Sequence, residues 1–282
     1  MEKIDMHIHT NLSDGDLKIE EIIKKAKENN CFKIAITDHE IVKDYKKISK
    51  NNDIDIINGC EFNTAEKGMH ILGYGLLDLN YIKENIDILH KENEEVSFKL
   101  IDKLVNLGFD ISKEKIKLNL SSEGIEYEYL DKRHIVKYLV NNGYTKSVGD
   151  TYKYLIGRGT DLYLPLKKIG SKEIIDMIHK SGGTAVLAHP KTLCLNEKEL
   201  LEKVKQLVLY GLEGIEIYNP VMENKDIIIS KNISKQLNII ETVGTDFHSG
   251  SELGVECDKL IYENFKEKIK TNNRRFYNGK DK

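Results

Sequence analysis

The stretch Lys3-Ile4-Asp5-Met6-His7-Ile8-His9 opens with an apolar run and ends in a His-x-His pair. The run predicts a β-strand over Lys3–His7. Residues two apart on a strand point to the same side, so His7 and His9 can both reach one ion. The pair alone is modest support for a metal site, because histidines are of intermediate burial and are often simply packed or solvated. An amphipathic stretch follows, whose apolar residues include spacings of three and four and predict a helix: Leu17, Ile19, Ile22, Ile23 and Ala26.

The same pairing of a short apolar run with a longer amphipathic stretch recurs along the chain, which is typical of βα units around a parallel sheet. The predicted strands are Lys3–His7, Lys33–Thr37, Asp55–Cys60, His70–Tyr74, Thr184–Ala188, Gly214–Tyr218 and Ile239–Gly244. Their number is close to that of a (β/α)8 barrel. A doubly wound open sheet fits the same alternation, but the Gly-x-Gly-x-x-Gly turn of a dinucleotide site is absent from the sequence.

The alternation breaks between Asp78 and Pro165. Helices are predicted there over Asp78–Leu107, Asp131–Asn142 and Thr151–Ile156, without a convincing buried strand. We therefore expect an α/β barrel formed by residues 1–77 and 162–282, interrupted by a mostly helical insertion at 78–161.

Composition excludes several classes of protein. With 282 residues, 40% hydrophobic and 32% charged, the chain can bury a core, and its net charge of -3 argues against a protein that coats duplex nucleic acid. The four cysteines show no Cys-x-x-Cys spacing, which disfavours a zinc ribbon or a thiol redox site. Signal-peptide features and a membrane-length apolar run are missing, so we expect a cytoplasmic protein without a membrane partner.

Titratable residues follow the predicted strands. Thr37-Asp38-His39, Glu61, His189-Pro190 and Asp246-Phe247-His248 each come where a strand ends, as the His7–His9 pair does. The carboxyl ends of parallel strands meet at one rim, where ligands bind. Core packing gives no reason to collect charges there, whereas metal coordination does. Alone, Asp14 of Ser13-Asp14-Gly15 would more simply be a helix cap, and His70, which begins a strand, a structural histidine.

The ordered set of motifs resembles the polymerase and histidinol phosphatase (PHP) superfamily of metal-dependent phosphoesterases. The motifs are His7-x-His9, Ser13-Asp14-Gly15, Thr37-Asp38-His39, Glu61 with His70, His189-Pro190 and Asp246-x-His248. The spacing and the insertion are similar to those of the stand-alone members that act on nucleotides and short oligoribonucleotides. The resemblance implies a distorted seven-stranded (β/α) TIM-like barrel that holds two or three divalent ions.

By that resemblance, the first ion would be held by His7, His9, Glu61 and Asp246. The second would be held by Asp14, His39 and His248, and the third by Glu61, His70 and His189. Glu61 would bridge two ions, which a carboxylate with two oxygens can do. This histidine-rich set suits Mn²⁺, Zn²⁺ or Fe²⁺ better than Mg²⁺ or Ca²⁺.

The expected reaction is hydrolysis of nucleotide phosphate monoesters or diesters, such as AMP, 3′,5′-bisphosphate nucleosides or short RNA. A metal-bound hydroxide would attack the phosphorus in line, so that neither a serine nor a cysteine nucleophile is needed. The catalytic residues would be six of the ligands: His7, His9, Asp14, His39, Glu61 and His248. Asp38 could orient His39 or a neighbour.

The insertion is expected to select the substrate. Asp131-Lys132-Arg133-His134 would begin a helix with cations in its first turn, which is useful if an anion binds there. Relatives commonly have Arg-Pro-His at this point, so His134 transfers as a phosphate contact, while either Lys132 or Arg133 could take the arginine role. Arg158, between two glycines, is a weaker candidate. A merely solvated basic turn is the alternative.

Three other functions remain open at this point. A barrel amidohydrolase also uses His-x-His, although its bridging ligand is often a carboxylated lysine where this chain has Glu61. A histidinol-phosphate phosphatase would come from the same superfamily. A catalytically silent module that keeps the fold would be expected to have lost ligands, and here all nine positions are filled.

Overall fold

The computed structural model describes residues 2–122, 129–250 and 252–280. The chain divides into two compact units. Unit 1 comprises Met1–Lys83 and Ile169–Lys282, and unit 2 comprises Glu84–Lys168. From the sequence alone the insertion was expected a few residues earlier, at 78–161.

Unit 1 contains an eight-stranded sheet with the strand order β7-β6-β5-β4-β3-β2-β1-β8. The strands are β1 (Glu2–Ile8), β2 (Lys33–Ile36), β3 (Asp55–Asn63), β4 (His70–Tyr74), β5 (Thr184–Leu187), β6 (Gly214–Tyr218), β7 (Ile240–Val243) and β8 (Val255–Cys257). The predicted number of seven is therefore wrong by one. The additional strand, β8, has only three residues and pairs antiparallel with β1, so it is too short to show an alternating pattern.

The sheet curls until its two sides nearly meet. Just after β7, the His9 amide donates to the Phe247 carbonyl at 2.9 Å and the Phe247 amide donates to the His7 carbonyl at 3.2 Å. These bonds join the end of β7 to the end of β1. The predicted α/β barrel is thus confirmed, with β8 lying beside β1.

One strand of the barrel is reversed. β4 pairs antiparallel with both β3 and β5, whereas β1, β2 and β3 are parallel neighbours, as are β5, β6 and β7. The amino end of β4 therefore lies at the rim where the parallel strands end. This reversal explains why His70 begins its strand and still belongs with residues that follow theirs.

The helices surround the sheet in unit 1 and make up most of unit 2. They are α1 (Ile19–Glu28), α2 (Lys46–Asn52), α3 (Leu79–Asn106), α4 (Lys113–Ser122), α5 (Lys132–Asn141), α6 (Val148–Thr151), a π-helix (Tyr152–Ile156), α7 (Ser171–Lys180), a 3₁₀-helix (Pro190–Leu193), α8 (Glu197–Leu209), α9 (Asn224–Leu237) and α10 (Lys259–Lys280). In the described part of the chain, every helix is too short or too polar to span a bilayer.

The first βα unit shows how apolar spacing builds the barrel. Ile22, Ile23 and Ala26 of α1 are buried in one cluster with Ile8 and Ile34 of the adjacent strands. Burying each large aliphatic side chain contributes about 1.5–3 kcal/mol. Residues with odd numbers in β1 face the other way, so the packing of α1 fixes the direction in which His7 points.

Unit 2 has a hydrophobic core of its own. Leu104 of α3, Ile116 and Leu120 of α4, and Ile135 and Leu139 of α5 are all buried in it. Helix α4 was not predicted from the sequence. Only Ile116 and Leu120 repeat at helical spacing within it, and its other positions are mostly polar.

Candidate metal centre

The nine predicted ligands come together at the rim of unit 1. They lie on or just after the barrel strands and in the turn after β1: His7, His9, Asp14, His39, Glu61, His70, His189, Asp246 and His248. Six imidazoles and three carboxylates thus share a small volume. One placement differs from the expectation, because β3 continues to Asn63 and Glu61 lies within it, opposite Leu72 of β4.

Glu61 is at the centre of this set, with a side chain only 1% exposed. Its Oε2 atom lies 3.1 Å from Nε2 of His7, 3.1 Å from Nε2 of His9 and 3.4 Å from Nε2 of His39. Its Oε1 atom lies 2.8 Å from Nδ1 of His70 and 2.8 Å from Nε2 of His189. The two oxygens therefore face two separate sets of imidazoles.

Three groups of donor atoms are close enough to hold an ion, with every atom of a group within 4.8 Å of the others. The groups are His7, His9, Glu61 and Asp246; His9, Asp14, His39 and His248; and His39, Glu61 and His70. The first has the composition inferred for the first ion. The third group contains His39 together with Glu61 and His70. His189 is not a member of this group, but its Nε2 atom lies 2.8 Å from Oε1 of Glu61.

His9 is shared by two groups through its two ring nitrogens. Its Nε2 atom lies 3.2 Å from Oδ1 of Asp246, and its Nδ1 atom lies 3.4 Å from Oδ1 of Asp14. A neutral imidazole has one nitrogen with a free lone pair and one that carries hydrogen. A neutral His9 can therefore ligate an ion in only one of the two groups.

The residues at the rim fit a bound cation. Among the described residues, no hydrogen-bond partner satisfies the buried atoms His9 Nε2, Asp14 Oδ1 and Asp246 Oδ1. Other donor and acceptor atoms lie only 3.1–3.4 Å away, but their geometry is not that of hydrogen bonds. Buried polar atoms without partners are costly and rare. Lone pairs that converge on a common space, as these do, would be satisfied together by a metal ion.

The charges of the cluster depend on one another. Burial alone would raise the pKa of Glu61, but the nearby His39 and His7 hold that pKa well below its usual range. Burial would also raise the pKa of Asp14, but the nearby His39 and His248 hold that pKa well below its usual value. The carboxylates are therefore anionic and ready to accept a cation.

The Thr10–Ser13 turn is held by Asp38. Its carboxylate accepts hydrogen bonds from the Thr10 amide at 2.7 Å, the Thr10 hydroxyl at 2.8 Å and the Ser13 hydroxyl at 2.6 Å. Gly15 is required by the same turn, because a Cβ there would lie 2.4 Å from the His9 carbonyl oxygen. Asp38 thus fixes the turn that carries Asp14.

Two buried carboxylates near the ligands were not found from the sequence. Asp5 accepts hydrogen bonds from the amide and hydroxyl of Thr245 at 3.0 and 2.6 Å and so ties β1 to the segment that carries Asp246. Burial raises the pKa of Asp5 to about 6. Glu216 contacts His7 at Nδ1 and the backbone amide of His189. Asp5 stands between Ile4 and Met6 and Glu216 between Ile215 and Ile217, and a carboxylate between two buried apolar residues was the available signal.

The residues expected to grip phosphate lie in unit 2. Lys132, Arg133 and His134 occupy the first turn of α5, and Arg158 is exposed after the π-helix. The Lys132 ammonium donates to the Leu164 carbonyl, and the side chain of Arg133 pairs with Asp131 at 2.6 Å. The ring of His134 accepts from the Asp131 amide at 3.1 Å.

Comparison with known proteins gives a coherent result. The family model described as PHP domain matches residues 5–273. The 5'-3' exoribonuclease Rnm of Escherichia coli (strain K12) is 28% identical over 255 residues, which cover 86% of this chain and 84% of the relative. The 3',5'-nucleoside bisphosphate phosphatase of Chromobacterium violaceum is 21% identical over 271 residues, covering 90% of each chain.

A solved structure from Bifidobacterium adolescentis, which carries a metal-dependent phosphoesterase designation, has a similar fold. It superposes with a TM-score of 0.79 at 19% identity, covering 93% of this chain and 94% of the other. At that identity the likeness bears on the fold alone.

Proposed function

This chain belongs to the PHP domain family, and on that basis we propose that it hydrolyses phosphate esters of nucleotides or short RNA with divalent ions held at the barrel rim. The match over residues 5–273 confirms the resemblance inferred from the motifs. The chain is a phosphoric ester hydrolase. The observation that carries the finer proposal is the convergence of nine donor side chains, three of them with unsatisfied buried atoms, around the single carboxylate of Glu61.

The proposed ligand sets are those that the family resemblance implies, and the first of them coincides with a donor group at the rim. His7, His9, Glu61 and Asp246 would hold one ion, Asp14, His39 and His248 a second, and Glu61, His70 and His189 a third. The donor set favours Mn²⁺, Zn²⁺ or Fe²⁺. When bound, such ions lower the pKa of water toward neutrality and neutralise charge on phosphoryl oxygens.

Exposure indicates the side from which a substrate enters. His7 and His9 are fully buried, whereas Asp246, Asp14 and His248 are 27%, 32% and 36% exposed. A phosphoryl group arriving from solvent would meet the last three first. His7, His9 and Glu61 would then hold the deeper charge in place and exclude water from behind it.

The tyrosines of unit 2 support a nucleotide-like substrate. Seven of the fourteen tyrosines of the chain lie between positions 127 and 163. Among the described residues, Tyr144, Tyr152, Tyr154 and Tyr163 are exposed. Stacking of a base on an aromatic side chain is worth about 1–3 kcal/mol. Histidinol phosphate would make less use of such a surface.

Basic residues accompany these tyrosines. Between positions 132 and 168 there are eight lysines and arginines but only two aspartates, so this segment attracts anions although the chain as a whole is slightly acidic. Arg133 and His134 are proposed phosphate contacts, with exposed Arg158 as a further one. Lys132 is the weaker candidate, because its side chain is buried and its ammonium is engaged by the Leu164 carbonyl, whereas the Arg133 side chain, although paired with Asp131, is 21% exposed.

The test is a phosphate-release screen with separately loaded Mn²⁺, Zn²⁺ and Fe²⁺ protein. Its substrates are AMP, a 3′,5′-bisphosphate nucleoside, a short 5′-phosphorylated RNA and histidinol phosphate. We expect turnover of at least one nucleotide or RNA substrate, with histidinol phosphate the poorest. Cleavage of histidinol phosphate alone would overturn the proposed substrate, and metal-loaded protein inert on all four would overturn the proposed function.

A further inference from the structure

We propose that Glu216 is a positioning residue that sets the metal-binding geometry of two ligands at once, the ring of His7 and the backbone of His189. The proposal rests on the proposed function only in taking these two histidines as metal ligands. It assigns Glu216 a role although that residue belongs to none of the three donor groups.

The contacts of Glu216 divide between its two oxygens. Nδ1 of His7 donates to Oε1 at 3.1 Å, the backbone amide of His189 donates to Oε2 at 2.7 Å, and Nδ2 of Asn219 is a longer donor to Oε2 at 3.5 Å. The side chain is fully buried, as is the ring of His7. The Glu216 carboxylate therefore links His7 of the first donor group to His189, whose ring lies against Oε1 of Glu61.

A purely structural reason for this glutamate is hard to find. Its strand neighbours Ile215 and Ile217 are buried apolar residues, as expected for a strand inside an α/β barrel. A buried carboxylate is costly unless it is fully hydrogen-bonded. The space is also tailored to it, because a Cβ at Gly244 would lie 2.4 Å from Cβ of His7 and 3.1 Å from Oε1 of Glu216.

For His7 the consequence is a fixed tautomer. A carboxylate can only accept, so Nδ1 of His7 carries the hydrogen and Nε2 keeps its lone pair. That lone pair faces Oε2 of Glu61 at 3.1 Å and Oδ1 of Asp246 at 3.3 Å, inside the first donor group. A histidine whose far nitrogen donates to a carboxylate is a common device for orienting a metal ligand.

For His189 the consequence is a fixed backbone. Its φ of 23° and ψ of 65° lie outside the regions that side-chain-bearing residues usually adopt, and such residues persist only where surrounding contacts hold them. The bond from its amide to Glu216 is one such contact. It directs the ring so that Nε2 lies 2.8 Å from Oε1 of Glu61.

The substitution Glu216→Gln separates these two effects without changing the volume. An amide has one oxygen and one NH₂ group, and the backbone amide of His189 can only donate, so the oxygen turns toward His189. The NH₂ group then faces Nδ1 of His7, which must become the acceptor, and the hydrogen of the ring moves to Nε2. His7 is thereby lost as a ligand while His189 is retained. Glu216→Ala removes both contacts.

The experiment measures zinc binding by competition with a chromogenic chelator, zinc content by mass spectrometry, and the ¹⁵N signals of the His7 ring in zinc-loaded protein. We expect Glu216→Gln to weaken one zinc site about 10–100-fold and to remove the protonated-Nδ1 signal of His7. Glu216→Ala is expected to weaken two sites. Circular dichroism and thermal melting of each variant show whether it is folded.

The matched control is Glu213→Gln, at the residue just before the same strand, where the carboxylate contacts His179 and Asn272 instead of predicted ligands. It should bind zinc like the wild type. Folded Glu216→Gln with wild-type zinc affinity and an unchanged His7 signal would overturn the proposal, as would equal losses in Glu213→Gln. These readouts involve no substrate, so inactivity of the wild type on phosphate esters would count against the proposed function and leave this inference standing.

Discussion

The barrel rim of unit 1 and the first turn of α5 in unit 2 both concentrate titratable side chains, but they satisfy them differently. At the rim, buried atoms of His9, Asp14 and Asp246 have no hydrogen-bond partner within the described residues. In the turn, Asp131 forms an ion pair with Arg133 at 2.6 Å and also caps the helix. The Lys132 ammonium donates a hydrogen bond to the Leu164 carbonyl. The rim is incomplete without a cation, whereas in the turn the charge of Arg133 is already paired, so a bound phosphate would share that guanidinium with Asp131.

This contrast shows which kind of motif can be interpreted from sequence. Ligands that need a metal come from distant segments and serve no local purpose, so their joint presence is informative. A basic turn has a local explanation available, and Asp131, one residue before it, provides that explanation.

The largest expected effect is at Glu61. Because Glu61 Oε1 and Oε2 face two sets of imidazoles, Glu61→Gln should lose more than one ion and reduce kcat/KM about 1000-fold or more, as expected when several kcal/mol of electrostatic stabilisation are removed. Metal content and phosphate release measure both, with Glu61→Ala as a second variant and Glu213→Gln as the control. Full metal content in Glu61→Gln would refute the bridging role.

Next in size is the contrast between Arg133 and Lys132. Arg133→Met should raise KM about tenfold or more, because a charge-assisted bond to phosphate is worth about 1.5–3 kcal/mol. Lys132→Met should leave KM nearly unchanged, since the buried ammonium is directed at the Leu164 carbonyl and burial lowers its pKa. Steady-state kinetics on the best substrate from the screen compare the two. The opposite pattern would assign the phosphate contact to Lys132.

A smaller effect is expected at Tyr154, which is 67% exposed. Loss of a stacking surface in Tyr154→Ala should raise KM for short RNA about fivefold, the low end of the energy of base stacking, while Tyr154→Phe keeps the ring and the wild-type KM. Tyr277→Ala, an exposed tyrosine of α10 in unit 1, is the matched control. Equal KM values for Tyr154→Ala and the wild type would remove the tyrosine from the substrate surface.

The smallest effect concerns the turn itself. Burial would raise the pKa of Asp131, but Arg133 and His134 hold it below its usual 3.8. Because the pKa is lower in the folded state, the ionised Asp131 stabilises the fold fully above about pH 4. This stabilisation is lost as the pH falls from there toward the lowered pKa. Asp131→Asn keeps a capping oxygen, so it should cost less than about 1 kcal/mol at pH 7. Urea unfolding should show this difference shrinking below about pH 4, and a gap that widens in acid would contradict the assignment.

Much of the barrel was predictable because its strands are short apolar runs. β4 and β6 were predicted with their observed bounds, and the other five of β1–β7 within a few residues. The direction of β4 was not predictable, because an apolar run of five residues has the same composition in either direction. β8 was missed because pairing with β1, which no local pattern encodes, is what makes Val255–Cys257 a strand.

At the site, the sequence pointed to titratable residues at the ends of predicted strands and passed over two carboxylates in the middle of strands. These carboxylates are Asp5 within β1 and Glu216 within β6. They accept hydrogen bonds of 2.6–3.2 Å from groups on or beside the metal-binding segments. Their partners come from segments far away in sequence, such as Thr245 and His189. Such contacts depend on the closure of the barrel, and a single sequence does not contain them as a motif.

The most direct test of the metal centre is anomalous diffraction from crystals grown with Mn²⁺ or Zn²⁺. We expect at least two anomalous peaks at the rim, each about 2.0–2.3 Å from its ligands, on opposite oxygens of Glu61 and in contact with His9, Asp14 or Asp246. A crystal with the metal in its solution but without anomalous density there, and with water bonded to those atoms instead, would contradict the account.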